Sequence, residues 1–541
     1  MSLRVWHISR ECDGIAEAGG LKDVVAGLSA ALAAAGFPTA VVLPRYGFVD
    51  LDSLNAEHTG IHFDLQMPEG ESVSPAHTPA DTPGFEHVEV YRCIRQGAEV
   101  YLLDSPRTRN KRAIYTYTAE DEREDPRRRK GTGHWDAHYL NLILQRGALE
   151  LARVAGPPDV FHCHDGHAAF LPAILKECSP FREQLRGCRA LITIHNAGRG
   201  YHQEIHDLDL AAELTGLSVE VLSAGAVGGA VDPFLVGAAY APINTVSEGY
   251  ALEITSGRLE EMTGGLGAAF RARGIRLFGI TNGIDPQIFD PRDTERSGLP
   301  SAFDPARGDL SGKVRCRQRF VELLNRTRET GAGGQDVPEL AGLEIFGSLD
   351  GKTDRPLYTF VGRLTGQKGV DVLAGAVDRY LSRDEDIRFL ILGQGERVIE
   401  EHLLEIARRP QAEGKLCVLI GYNGQAAKYI YACGDFFLVP SLYEPCGLTD
   451  LFAQMMGHLP IVHAVGGLIK VLPGVTGYRY NEHSVDALVG AISDSISDYE
   501  DAPERLERLR RQAFAEVFRH YTWDKVLGDG YLPLYQGKDR V

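Results

Sequence analysis

A chain of 541 residues with 44% hydrophobic and 24% charged side chains has the make-up of a globular protein with room for two or three domains. Its net charge of -17 argues against general binding to nucleic acid or to an anionic membrane, while leaving room for a local basic pocket around a small anion. No run of roughly 18 apolar residues occurs, so no membrane span is expected, and nine cysteines without a CxxC pair suit reduced thiols in a cytoplasm.

Leu3 to Ser9 reads as a first strand rather than a signal peptide. Gly19-Gly20 then opens a helix that carries Leu21, Val24, Val25, Leu28 and Leu32 on one face, and Thr39 to Leu43 is the next strand. Two glycines ahead of a helix let a backbone approach a ligand closely, although the pattern is not GxGxxG. Residues 50 to 98 suggest edge strands, and Val100 to Asp104 a further strand. Residues 118 to 133, with Asp121-Glu122-Arg123-Glu124-Asp125 and Arg127-Arg128-Arg129-Lys130, are expected to form a mobile surface loop. A helix through Leu142 to Val154 leads to the strand Asp159–His164, which stops at Asp165-Gly166-His167. Strands ending at His195-Asn196 and Ser247 complete a doubly wound unit.

Arg276 to Ile280, followed by Asn282-Gly283, reads as the opening of a second such unit, with a surface loop over residues 291 to 312. Strands recur at Leu357–Val361, Ile387–Leu392, Leu416–Ile420, Phe436–Val439 and Ile461–Val465, spaced by roughly 20 to 30 residues as in βα units. The aromatic-rich end of the chain reads as a packing helix and tail. The fold class is therefore α/β, with two doubly wound Rossmann-like lobes facing a central cleft, because parallel sheets bind ligands beyond the carboxyl ends of their strands.

Several strand ends carry chemistry. Arg363 and Lys368 share the glycine-rich loop Gly362–Gly369, where a guanidinium fork and an ammonium suit a diphosphate. Glu444 lies on the turn Pro440–Asp450, between a buried strand and a helix start. Asp165 alone reads as a helix cap and His195 alone as a buried histidine. The DxD patterns Asp50-Leu51-Asp52 and Asp207-Leu208-Asp209 lie in ordinary surface sequence, and Cys163-His164 lacks partners at zinc spacing, so no metal is expected.

Read together, these motifs resemble the bacterial glycogen synthase and plant starch synthase family over nearly the whole chain. The resemblance rests on Ala18-Gly19-Gly20-Leu21 with Asp23, His164-Asp165-Gly166-His167, Thr193-Ile194-His195-Asn196, Thr245-Val246-Ser247, Thr281-Asn282-Gly283-Ile284-Asp285, Gly362 to Gly369, Glu444-Pro445-Cys446-Gly447-Leu448-Thr449 and Gly466-Gly467-Leu468. It implies the GT-B fold: an N-terminal lobe over 1–260, a donor-side lobe over 261–515, and a tail over 516–541 packing back on the first lobe. A hinge motion is expected, since the two halves of the site lie on different lobes.

The implied activity is retaining transfer of glucose from ADP-glucose or UDP-glucose to the non-reducing end of an α-1,4-glucan, in the cytoplasm and without cofactor or metal. A homo-oligomer is compatible with the sequence. In the resemblance Arg363 and Lys368 hold the pyrophosphate, Glu444 and His195 flank the transferred sugar, and Tyr422 stacks on the base. Gly19, Gly20, Cys446, Gly447, Leu448 and Thr449 offer backbone groups to the donor. Glu11, Asp23 and Asp165 are acidic positions around the donor and acceptor subsites, and Glu17, His167 and Asn196 are on the acceptor side or left without an assigned subsite.

Two positions depart from the family pattern. Glu17 stands where the family has lysine before the Gly-Gly turn. An anion there costs donor affinity unless another cation compensates or the side chain points elsewhere. Gly166 stands where the family has tryptophan and is expected to widen or weaken the acceptor subsite. These departures keep open a transferase with another donor or acceptor, or a weakly active glucan-binding relative.

Overall fold

The computed structural model describes residues 3–68, 84–330 and 337–538. The chain divides into two units, Met1–Gly283 with Val526–Val541, and Ile284–Lys525.

The first unit is built on nine strands: β1 Val5–Ile8, β2 Thr39–Pro44, β3 Glu57–Gln66, β4 Phe85–Arg95, β5 Ala98–Asp104, β6 Val160–His164, β7 Arg189–Ile194, β8 Ile243–Thr245 and β9 Leu277–Gly279. Their order is β9-β8-β7-β6-β1-β2-β5-β4-β3, parallel except that β4 runs against β5 and β3 against β4. The central strands β1, β2 and β6 are buried at every residue, as expected of apolar runs covered on both faces, whereas β3 at the antiparallel edge alternates exposed and shielded positions. Helix α1, Leu21–Ala34, buries Leu21, Val24, Val25, Leu28 and Leu32, the stripe its sequence period predicts.

Three expectations are corrected. The strand near Arg276 is β9, and it pairs with β8 in the first sheet, so the division falls at Gly283 and not at 260. Residues from Val526 onward group with the first unit, while helix Pro503–His520 remains in the second. The segment 118–133 is not a plain loop. Thr118 and Asp121 form a reciprocal cap on helix α2, Ala119–Glu124, and Arg112 bridges Asp121 and Glu124. Most of its charges are spent on local pairing, which the sequence read only as polarity.

The second unit holds β10 Glu344–Leu349, β11 Leu357–Val361, β12 Arg388–Gly393, β13 Lys415–Ile420, β14 Phe436–Val439, β15 Leu459–His463 and β16 Tyr478–Tyr480. Their order is β10-β13-β12-β11-β14-β15-β16, with only β10 antiparallel. Among the described residues no helix is long and apolar enough to cross a membrane.

Candidate active site

In each sheet the winding direction reverses once, and ligands bind at such reversals in open α/β sheets. The first unit reverses between β1 and β6, and the second between β11 and β14. The Gly19-Gly20 turn and Asp165 follow the first pair of strands, and the Gly362–Gly369 loop and the Glu444 turn follow the second.

In the second unit the loop after β11 and the turn after β14 adjoin. Leu442 N donates to Gln367 O at 3.0 Å. Gly369 sits at φ +66° with the site of its missing Cβ only 2.0 Å from Pro440 O, so glycine is required there by both conformation and space. This juxtaposition sets Lys368 Nζ 2.5 Å from Glu444 Oε2, with the side chains 23% and 11% exposed. Ser441 Oγ donates to the same oxygen at 3.1 Å. Burial raises the Glu444 carboxyl, but Lys368, Ser441 and Lys470 outweigh it and hold the group below its ordinary value. Arg363 is on the same loop, donating to Gln367 Oε1 at 3.3 Å.

Cys446, Gly447, Leu448 and Thr449 continue the turn into helix α3, Thr449–Met455. Here the structure adds a residue that the sequence reading missed. Lys470 Nζ donates to Cys446 O, Gly447 O and Gly467 O and pairs with the buried Asp450 at 3.0 Å, clamping the turn from below. Its only signal in the sequence was its place just after Gly466-Gly467-Leu468. Tyr422 is not brought to this group. It follows β13, two strands away from β11, and is 81% exposed.

In the first unit Glu11 is buried and its carboxylate accepts from Ala18 N at 3.0 Å and Gly19 N at 2.6 Å. The Gly19 amide is therefore occupied by the protein's own carboxylate. Tyr115, which no sequence signal marked, donates to Glu11 at 2.7 Å and lies 6.4 Å, ring to ring, from His167. Glu17 turns back into its own loop, accepting from Gly14 N at 2.9 Å and lying 3.5 Å from Lys22. Lys22 also pairs with Asp13 at 2.8 Å and Asp23 at 3.1 Å. Gly20 ends the turn without a side-chain cap on α1.

Asp165 and His195-Asn196 meet at the ends of β6 and β7. Asp165 Oδ1 accepts from His195 N at 2.6 Å and from Asn196 N at 3.4 Å. Its backbone, at φ 58° and ψ -179°, is in a region that costs a non-glycine residue about 1–3 kcal/mol. Burial pushes its carboxyl up to about 7 despite these two amides. Asn196 Oδ1 accepts from Gly198 N.

Gly166 has no open space at its own Cβ position. The position of its missing Cβ is 2.1 Å from His202 O and 2.9 Å from Tyr201 O, so the backbone of that segment fills the space.

Two clusters bring possible metal ligands within 4.8 Å of one another, His7/His162/His164 and His202/Glu204/Asp232. Except for His7 Nε2, which is buried without a partner, their imidazole nitrogens are already engaged. His162 bonds Tyr535 and Thr193, His164 bonds His7 and His195, and His202 bonds Asp232 and Ala197 O. Asp50 and Asp207 accept amides of their own turns.

Two doubly wound units of this kind make up the fold of a two-lobed glycosyltransferase, and comparison with known proteins agrees. Residues 4–271 match the starch synthase catalytic domain and residues 355–498 match glycosyl transferases group 1. The glycogen synthase of Myxococcus xanthus is 32% identical over 95% of this chain and 96% of its own length. Glycogen synthase 1 of Geobacter metallireducens is 30% identical over 96% and 93%. In fold, the chain is similar to the catalytic domain of starch synthase IV from Arabidopsis thaliana bound to ADP and acarbose, with a TM-score of 0.77, 24% identity and 99% of both chains covered. The chain belongs to the glycogen synthase family and is a glucosyltransferase.

Proposed function

We propose that the protein transfers glucose, with retention, from a nucleoside diphosphate glucose to the non-reducing end of an α-1,4-glucan. The observation that carries this reading is the Lys368–Glu444 pair at the β11/β14 reversal, with Arg363 on the same loop. It sets cations for a departing diphosphate beside an ionised carboxylate for the positive charge that develops on the sugar. Arg363 and Lys368 hold the pyrophosphate, so no metal or other cofactor is invoked. Glu444 stays ionised through its cationic neighbours and acts by position and electrostatics. The acceptor hydroxyl attacks from the face that the leaving phosphate vacates, and that phosphate takes up its proton. His195 lies beside the sugar, and the exposed Tyr422 stacks on the base.

ADP in the Arabidopsis relative supports ADP-glucose as the donor. The nine free, buried cysteines support a reducing compartment, the cytoplasm, and a net charge of -17 supports partners other than nucleic acid.

The test offers the purified protein ADP-glucose and UDP-glucose separately, with and without glycogen, and measures nucleoside diphosphate release. Glycogen-dependent release from one of them is expected. Release from neither overturns the reading.

A further inference from the structure

Three histidines lie on neighbouring strands of the first sheet: His7 on β1, His164 at the end of β6 and His195 just beyond β7. They form one hydrogen-bonded row. His7 Nδ1 is 3.1 Å from His164 Nε2, and His164 Nδ1 is 3.0 Å from His195 Nε2. Burial keeps the rings neutral, with His7 and His195 lowered to about 3 and His164 also driven down. A neutral imidazole has one N–H, so His164 must donate with one nitrogen and accept with the other. The row therefore has only two states, and all its bonds point the same way in each.

His7 Nε2 decides between them. It is buried and has no hydrogen-bond partner. If the row runs from His195 to His7, the proton of His7 sits on this nitrogen as an orphaned buried N–H, the rarer and costlier defect. If it runs from His7 to His195, the nitrogen keeps only an unused lone pair. The neighbouring His162 does not interfere. It donates through Nε2 to Thr193 Oγ1 at 2.6 Å, because that hydroxyl donates onward to Asn244 Oδ1, and its Nδ1 accepts from Tyr535.

We infer that His7 is a positioning residue that acts through His164 to fix the tautomer of His195, so that His195 presents Nδ1–H as a hydrogen-bond donor to an oxygen of the bound sugar. The inference rests on the reading above that places His195 beside the sugar. His195 Nδ1 has no protein partner among the described residues, and the ring is half-buried, so this atom is available to a ligand.

The experiment compares the full-length protein with His7→Met and His7→Phe, side chains of similar bulk. A thioether only accepts, so His7→Met draws the proton of His164 onto Nε2 and reverses the row. His7→Phe merely transfers the unused lone pair to His164 Nε2 and preserves the direction.

Nitrogen-15 NMR of histidine-labelled protein, with His195 assigned through His195→Gln, is expected to show a protonated Nδ1 in the wild type and in His7→Phe, and a protonated Nε2 in His7→Met. A bare Nδ1 in the wild type overturns the inference. So does an unchanged His195 in folded His7→Met. If His7→Met does not fold, the wild-type and His7→Phe spectra decide.

A second readout uses nucleotide sugars in which each hydroxyl is replaced in turn by hydrogen or by fluorine, which only accepts. At one position the deoxy sugar is expected to lose about tenfold in kcat/KM while the fluoro sugar stays within about threefold, and His7→Met abolishes that difference. If no position behaves so while the NMR result holds, the row is as inferred and the placement of His195 at the sugar is what fails.

Discussion

Replacing Lys368 by methionine removes a charge while keeping most of the unbranched stem of the side chain. The partner Glu444 is 11% exposed and 2.5 Å away, and Lys368 itself is 23% exposed. The pair thus falls between an exposed ion pair, worth up to about 1 kcal/mol, and a buried one, whose breakage costs about 3–5 kcal/mol, so about 2 kcal/mol is expected. Glu444→Gln alone is expected to cost less, because Ser441 can still donate to the amide oxygen. The double variant is expected to recover most of the difference, giving a coupling of about 1–2 kcal/mol in urea unfolding.

Because the Glu444 carboxyl lies below its ordinary value in the folded chain, its contribution is present above the unfolded pKa and is lost as pH falls through the acid range. The coupling is therefore expected to shrink toward pH 3. Activity behaves differently, since a cation lost from a developing diphosphate costs about 10²–10³ in kcat, and the double variant does not restore it. Additive stability costs, or a Lys368→Met enzyme within threefold of wild type, refute the assignment of this pair.

Gly166→Ala is expected to destabilise the first unit by about 1–3 kcal/mol or prevent its accumulation, since a Cβ there meets His202 O at 2.1 Å; a melting temperature equal to wild type counts against this packing. Glu17→Lys is expected to change the donor KM by no more than about fivefold, because the carboxylate it replaces faces Gly14 and Lys22 and exposed pairs are worth about 1 kcal/mol at most; a larger gain places residue 17 at the diphosphate. Asp165→Asn concerns pH. A carboxyl raised to about 7 keeps its proton in the folded chain between the unfolded pKa and about 7, so the folded state binds more protons and stability falls as pH rises through that window. The variant is expected to flatten this part of the profile and to gain stability at pH 8; an unchanged slope between pH 5 and 8 shows that Asp165 does not titrate there.

The sheets and their strand ends were legible in the sequence because buried parallel strands are apolar runs and because glycines mark the loops that follow them. Arg363, Lys368 and Glu444 were recognisable as charges on such loops, and their meeting follows from β11 and β14 being neighbours. What was not legible depends on partners far away in sequence. Lys470 is an ordinary lysine until its carbonyl partners are seen, and Tyr115 gains meaning only from Glu11, 104 residues earlier. Strand β9 looked like the start of a new unit because three apolar residues carry no label of the sheet they join. The segment 118–133 looked featureless because composition registers charge and not the pairing of Arg112 with Asp121 and Glu124.

The two departures from the family pattern are both answered locally, and the answers differ in consequence. At Gly166 the lost volume is refilled by the backbone of Tyr201 and His202, so the change exchanges one wall for another. At Glu17 the chain places a lysine five positions later, on the first turn of α1, but three carboxylates surround it: Asp13, Glu17 and Asp23. One ammonium among three anions leaves the Gly-Gly turn with a net negative charge, and the Gly19 amide is already bound by Glu11. A diphosphate gains little from such a turn. Under the proposed function its charge must be met chiefly by Arg363 and Lys368, which makes the second unit the seat of donor affinity. Neutralising Lys22 should therefore change donor binding far less than neutralising Lys368, and equal losses from the two would refute that division of labour.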